Sequence, residues 1–169
     1  MKKAIFLDRD GIINVDHSYV YKIEDFEFCE GVFQTLKYFQ SLNYSLFIVT
    51  NQSGIGRGYY TQENFEKLTS WMIDAFTCKD IKITKVYHCP HSPQEGCSCR
   101  KPQIGMFEQA QNEFDIDMHN SWMIGDKTSD IQAGINANIP NTIFVNTLIC
   151  KDAKYNVKSI LDTIDIIKK

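Results

Sequence analysis

Short, largely apolar runs recur along this chain, each followed by polar residues and then by a segment of helical periodicity. The runs are Ala4–Leu7, Tyr44–Val49, Lys85–His88, Trp122–Ile124 and Asn141–Val145. Apolar runs this short, without polar alternation, read as strands covered on both faces. Between them, Val32, Leu36, Phe39 and Leu42 mark an amphipathic helix over Gly31–Leu42 that Asn43 ends. Thr61 is a candidate N-cap for a helix whose buried face carries Phe65, Leu68, Met72, Ile73 and Phe76. Trp71, beside Met72, reads as core. Met106, Phe107, Ala110 and Phe114 face inward from a helix over Gly105–Phe114, and Ile131, Ala133, Gly134 and Ala137 from one beginning at Thr128. A closing helix over Asn156–Lys169 buries Ile160, Ile164 and Ile167. Strands alternating with helices predict an α/β fold: a doubly wound, mainly parallel, Rossmann-like sheet with helices on both faces. The 169 residues fit one domain spanning the whole chain.

In such sheets ligands bind beyond the carboxyl ends of the strands, so the residues just after each run carry the chemistry. After the first run come Asp8 and Asp10, then Gly11, where the chain turns. Two carboxylates this close repel unless a cation sits between them, and Mg²⁺ is the hard ion that takes carboxylate and phosphate oxygens together. After the second run come Thr50, Asn51, Gln52, Ser53 and Gly54, a hydroxyl with a glycine-containing turn that suits a phosphate. The glycines from Gly54 to Gly58 do not follow the first strand, and no acid sits at the spacing a dinucleotide fingerprint needs. After the fourth run Asp126 completes the Mg²⁺ ligands, and Asp130 is placed to cap a helix or hydrogen-bond nearby. Residues 12–30 form a long polar and aromatic loop with Asp16, His17, Ser18 and Tyr19 close to the carboxylate pair. It reads as a flap that touches substrate.

Six cysteines are present, and three of them fall with a histidine in Cys89-Pro-His91-Ser-Pro-Gln-Glu-Gly-Cys97-Ser-Cys99. Cys89, His91, Cys97 and Cys99 supply three thiolates and an imidazole, a closed tetrahedral set for structural Zn²⁺. Cys29, Cys78 and Cys150 lack partners nearby and read as packing residues. Directly after the last zinc ligand, Arg100 and Lys101 can hold phosphate oxygens. The net charge of −3 gives no global field for nucleic acid. With no signal peptide or membrane-spanning run expected, the reading is a cytoplasmic protein, a monomer, without membrane or nucleic-acid partners. Carboxylates, a hydroxyl and cations meeting at one sheet edge describe phosphoryl transfer through a carboxylate nucleophile.

The motifs Asp8-x-Asp10, Thr50, Lys101 and Gly125-Asp126, in this order, resemble those of the haloacid dehalogenase (HAD) superfamily phosphatases. More narrowly, Phe-Leu-Asp-Arg-Asp-Gly, Ile-Asn-Val-Asp-His, Val-Thr-Asn-Gln-Ser-Gly-Ile, Cys-Pro-His, Cys-Arg-Lys-Pro and Ile-Gly-Asp-Lys resemble the D-glycero-D-manno-heptose 1,7-bisphosphate 7-phosphatases, from about Ala4 to Val145. Histidinol-phosphate phosphatases are similar too and share the zinc loop, which is short here as in those enzymes. The flap resembles the heptose enzymes, and Ile12 stands where these families usually have Thr. The resemblance implies a HAD-like fold without a large cap domain, and hydrolysis of the 7-phosphate in nucleotide-activated heptose biosynthesis. Histidinol-phosphate hydrolysis in histidine biosynthesis is the alternative. It further implies Asp8 as nucleophile, Asp10 as general acid and base, and Thr50 and Lys101 on the transferring phosphoryl group. Mg²⁺ would be held by Asp8, Asp10 and Asp126. Arg100, Lys127 and Asp16 to Tyr19 would recognise the sugar and its second phosphate, beside Asn51, Gln52 and Ser53.

Overall fold

The computed structural model describes residues 1–168. Its element order is β1 (Ala4–Leu7), α1 (Val32–Ser41), β2 (Ser45–Asn51), α2 (Ser53–Gly56), α3 (Gln62–Thr77), β3 (Ile83–Cys89), α4 (Gly105–Glu113), β4 (Trp122–Gly125), α5 (Thr128–Asn136), β5 (Asn141–Val145) and β6 (Tyr155–Val157). The strands form one six-stranded sheet in the order β3-β2-β1-β4-β5-β6, and every pairing is parallel.

The expected sheet, with helices on both faces, is present. Side chains alternate across each strand, so Ile5, Leu7, Leu46 and Ile48 join Val32, Leu36 and Phe39 of α1 and Leu68, Met72 and Phe76 of α3 in one core. Ala4, Phe6, Phe47 and Val49 point the other way and meet Met106, Phe107 and Ala110 of α4 and Ala133 of α5. Each of these larger side chains contributes about 1.5–3 kcal/mol on full burial. Thr61 caps α3 as expected: its side chain accepts from the Asn64 N–H, and the Asn64 side chain accepts from the Thr61 N–H. Asn43 ends α1 at a φ of 63°. Ile73 and Trp71 are half-buried, and Trp71 packs on Phe26 and Phe28.

Four local expectations are corrected. Strand β2 runs on to Asn51, so Thr50 and Asn51 end the strand, and Ser53–Gly56 is a helical turn. The closing helix is replaced by the edge strand β6 and a 3₁₀ turn, Ile160–Asp165. Residues 160–167 are rich in β-branched Ile and Thr, which fit a helix poorly. Ser159 and Asp162 cap that short turn, Ile160 and Ile167 are buried and Ile164 only half-buried. The last residue of that expected helix, Lys169, lies outside the described residues. Of the three cysteines read as packing, Cys150 is buried and Cys29 half-buried, but Cys78 is exposed because it sits at the solvent-facing end of α3. Phe114 lies just past α4 and is half-buried. Among the described residues no helix is long and apolar enough to cross a membrane.

The segment between β1 and α1 is long but closed at its base. Val15 donates to the Glu27 carbonyl and Cys29 to the Ile13 carbonyl, at 2.8 and 2.9 Å. Its tip, residues 16–20, is thereby held over the carboxyl ends of the strands.

Candidate active site

Strand order reverses at β1, which lies between β2 and β4, and this is where ligands bind in such sheets. A cavity of about 300 Å³ opens there. Asp8, Asp10, Asn51, Gln52, Arg100 and Lys101 form its floor and sides; Asp16, Ser18 and Tyr19 of the flap, with Ser53, Tyr60, Lys127, Ser129 and Asp130, complete the lining.

Asp8 is the first residue past β1. Its N–H is fixed by the Ile124 carbonyl of β4 at 3.1 Å, and the residue is only 5% exposed. Lys101 lies beneath it. The Lys101 Nζ donates to Asp8 Oδ1 at 2.8 Å, to Asp130 Oδ1 at 2.7 Å and to the Val49 carbonyl at 2.6 Å. The other Asp130 oxygen accepts from the Lys127 N–H at 3.0 Å and caps α5, so this residue both caps a helix and pairs with the buried lysine.

The carboxylates of Asp8, Asp126 and Asp130 converge within 4.8 Å of one another. Burial, with Asp130 and Asp126 against Lys101, pushes Asp8 up to about 8. Burial raises Asp126 as well, despite the neighbouring Lys127. Three crowded carboxylates are an all-oxygen donor set, which suits a hard divalent cation. Gly11 makes room for this cluster. It has a φ of +93°, and a Cβ there would lie 2.2 Å from Asp126 Oδ2.

The Asp10 side chain does not join that cluster. Its Oδ1 accepts from Arg9 Nη2 at 2.9 Å and Asn14 Nδ2 at 3.0 Å, and its Oδ2 from Gln52 Nε2 at 3.1 Å. Burial works against the charged form, but Arg9 and these hydrogen bonds together hold the carboxyl below its ordinary value. The expectation that its carboxylate ligates Mg²⁺ is therefore not met by this geometry.

Thr50 is fully buried behind Gln52, whose Nε2 donates to its hydroxyl at 2.8 Å. Gln52 is set in turn by the Tyr60 hydroxyl, which donates to its Oε1 at 2.5 Å. Asn51 clamps the Lys101 backbone, accepting from its N–H at 3.0 Å and donating to its carbonyl at 3.2 Å. Asn51 and Gln52, expected to touch substrate, thus spend most of their hydrogen bonds on the residues around it.

At the cavity mouth, Lys127 Nζ lies 3.5 Å from both Asp16 and Asp126. Arg100 Nη1 is buried without a hydrogen-bond partner among the described residues. Like Thr50, His17 is an expected contact that does not line the cavity. The left-handed turn at Ser18 and Tyr19, with φ of 61° and 52°, leaves it pointing away, and its Nε2 lies 2.9 Å from Glu27 on the outer surface. Arg9, Tyr60 and Ser129 were not expected in the site. The spacing of Asp130 from Asp126 was the one signal available for the neighbouring acid.

Behind the cavity, Cys89, His91, Cys97 and Cys99 converge as expected. Their donor atoms lie within 4.8 Å of one another, with Cys89 Sγ 2.9 Å from Cys99 Sγ and 3.5 Å from both Cys97 Sγ and His91 Nδ1. Tetrahedral Zn²⁺ with bonds of about 2.3 Å to sulfur spaces thiolates about 3.8 Å apart, so this set accommodates it after a small expansion.

Comparison with known proteins agrees with the geometry. The HAD-hydrolase-like family model matches residues 98–164. The chain is 60% identical over 144 residues to the D-glycero-α-D-manno-heptose-1,7-bisphosphate 7-phosphatase of Campylobacter jejuni, covering 85% of this chain and 83% of that one. It is 46% identical over 169 residues to the D-glycero-β-D-manno-heptose-1,7-bisphosphate 7-phosphatase of Helicobacter pylori strain 26695, covering 98% of each. The D,D-heptose 1,7-bisphosphate phosphatase of B. bronchiseptica, solved with magnesium and phosphate, has the same fold. Its TM-score is 0.86 at 24% identity, over 97% of both chains. The acid-tipped first strand, the convergent carboxylates and these relatives lead to one conclusion: the chain belongs to the D-glycero-D-manno-heptose 1,7-bisphosphate 7-phosphatase family of HAD-like phosphomonoester hydrolases.

Proposed function

We propose that this protein hydrolyses the 7-phosphate of D-glycero-D-manno-heptose 1,7-bisphosphate, acting on the α anomer in the cytoplasm. An Asp8 oxygen attacks phosphorus and the bond from phosphorus to the sugar oxygen breaks. Asp10 gives the departing alkoxide its proton, leaving heptose 1-phosphate and an aspartyl-phosphate. Water then attacks that phosphorus, Asp10 takes its proton, and the bond to Asp8 breaks to release phosphate. Asp10 rests as a carboxylate, and the incoming phosphoryl charge beside it favours its protonated form. Lys101 and Thr50 hold the transferring group, since this chemistry depends mainly on positioning and electrostatics. Asp8 and Asp126, with Asp130 adjoining, would hold Mg²⁺, which neutralises charge on the phosphoryl oxygens. Cys89, His91, Cys97 and Cys99 would hold structural Zn²⁺, fixing the loop that carries Arg100 and Lys101.

The observation that carries the substrate assignment is Arg100. It lines the cavity, and its buried Nη1 has no hydrogen-bond partner among the described residues. A second phosphate satisfies that donor, whereas the ammonium group of histidinol phosphate is repelled by it. The 60% identical C. jejuni relative supports the α anomer. The test is kcat/KM with Mg²⁺ on both heptose bisphosphate anomers and on histidinol phosphate. The expected order puts the α anomer first and histidinol phosphate last. A preference for histidinol phosphate overturns the function, and a preference for the β anomer overturns the anomer assignment alone.

A further inference from the structure

Arg9 stands between the two reacting acids and is 1% exposed. A single nitrogen, Nη2, makes both of its side-chain hydrogen bonds: 2.9 Å to Asp10 Oδ1 and 2.7 Å to the carbonyl of Val20. The guanidinium lies 5.9 Å from the ring centre of Phe26, and Nε is buried with no hydrogen-bond partner among the described residues. A buried cation so incompletely hydrogen-bonded is a poor way to fill space, because an apolar side chain of similar volume would spare the desolvation cost. What it does accomplish is to join two parts of the site. Val20 directly follows Ser18 and Tyr19, the flap residues that line the cavity. Both adopt left-handed backbone, a conformation that costs a residue with a side chain of order 1–3 kcal/mol and persists only where the surroundings hold it. Asp16 Oδ1 accepts from the Ser18 N–H at 3.0 Å on one side of this turn, and Arg9 holds it on the other.

We propose that Arg9 is a positioning residue: one guanidinium nitrogen sets both the Asp10 carboxylate and the Ser18-Tyr19 turn of the flap, so that the proton donor and the substrate-facing wall are placed together. The proposal rests on the reading of Asp10 as the group that serves the leaving oxygen.

The experiment compares Arg9→Met, Arg9→Lys and Asp10→Asn with the unaltered protein, each loaded with Mg²⁺, on two esters. A sugar bisphosphate loses an alkoxide that must be protonated; p-nitrophenyl phosphate loses a phenolate that need not be. Because kcat/KM covers steps only up to release of the first product, it isolates the proton donor. Arg9→Met should lower kcat/KM on the sugar about 100-fold and on the aryl ester less than about 10-fold, in line with the 10²–10⁴ that a placed acid supplies. Arg9→Lys keeps the charge on a shorter arm and should fall between. Amides of residues 16–22 should exchange with deuterium faster in Arg9→Met. Equal losses on both esters, or unchanged exchange in the flap, would overturn the proposal; if Arg9→Met does not fold, Arg9→Lys decides by the same two readings. If Asp10→Asn itself shows no dependence on the ester, the assignment of Asp10 falls and the proposal with it.

Discussion

Replacing Lys101 by Met tests the electrostatics of the site most severely. The Lys101 side chain is 1% exposed, and those of Asp8 and Asp130 are 7% and 2% exposed. Removing the cation leaves two carboxylates and the Val49 carbonyl without their shared donor. Breaking a buried pair in this way costs about 3–5 kcal/mol. For a chain of this size each kcal/mol shifts Tm by about 2–4 °C, so the expected fall is about 6–20 °C. The deficit also depends on pH. Asp8 already titrates at about 8 instead of its ordinary 3.8. A carboxyl raised on folding favours the folded state fully below its unfolded pKa and loses that contribution as pH rises through the folded one. Without Lys101 the rise is larger still, so the deficit should grow from pH 5 to pH 9. The assay is thermal unfolding of metal-free protein across that range, beside kcat/KM with Mg²⁺, where loss of an electrostatic donor to the transition state costs about 10²–10³. Adding Asp130→Leu should recover part of the stability and none of the activity. A single variant whose Tm stays within about 2 °C of the parent, or whose deficit shrinks as pH rises, would refute the reasoning.

Three further outcomes follow from the same geometry. Gly11→Ala places a methyl group 2.2 Å from Asp126 Oδ2 at a φ of +93°; titrating activity with Mg²⁺ should show weaker half-saturation, with stability lower by about 1–3 kcal/mol. An unchanged Mg²⁺ dependence would separate Asp126 from the metal. Stripping zinc with a thiol-compatible chelator should lower Tm, because the polar loop from Pro90 to Ser98 has little apolar surface to order it; an unchanged Tm removes the structural role of the Cys/His cluster. Added Mg²⁺ competes with a proton at Asp8, so the Tm gain from Mg²⁺ should increase as pH rises from 5 to 9. A gain independent of pH would mean that Asp8 is not a ligand.

The parts of the site legible in the sequence are those set by local rules. A strand buried on both faces must be apolar at every position, so β1, β2 and β4 stand out, and with them the places of Asp8, Thr50 and Asp126. Cysteine spacing marks the candidate metal loop because its four donor residues lie within eleven residues, Cys89 to Cys99. What the sequence hides depends on distant partners. Arg9 is an ordinary charged residue until Val20 folds back onto it, and Tyr60 a loop aromatic until Gln52 lies beneath its hydroxyl. His17 lies beside residues that enter the cavity, and only the left-handed turn that follows shows it facing outward. Near the C-terminus, isoleucine spacing imitates a helix, but parallel pairing with β5 draws Tyr155–Val157 into the sheet.

The placement of β1 has a consequence for how the chain acquires activity at all. Its partners on either side begin at Ser45 and Trp122, and the amide of Asp8 is tied to Ile124. A polypeptide cut anywhere before residue 122 can assemble β1, β2 and β3, yet Asp8 then has an open flank and lacks Asp126 and Asp130. Contacts so remote along the chain close late, after the loop entropy of more than a hundred residues has been overcome. Competence for turnover should therefore emerge in one step with the docking of the C-terminal half, and shortened fragments should be inert before that step rather than weakly active.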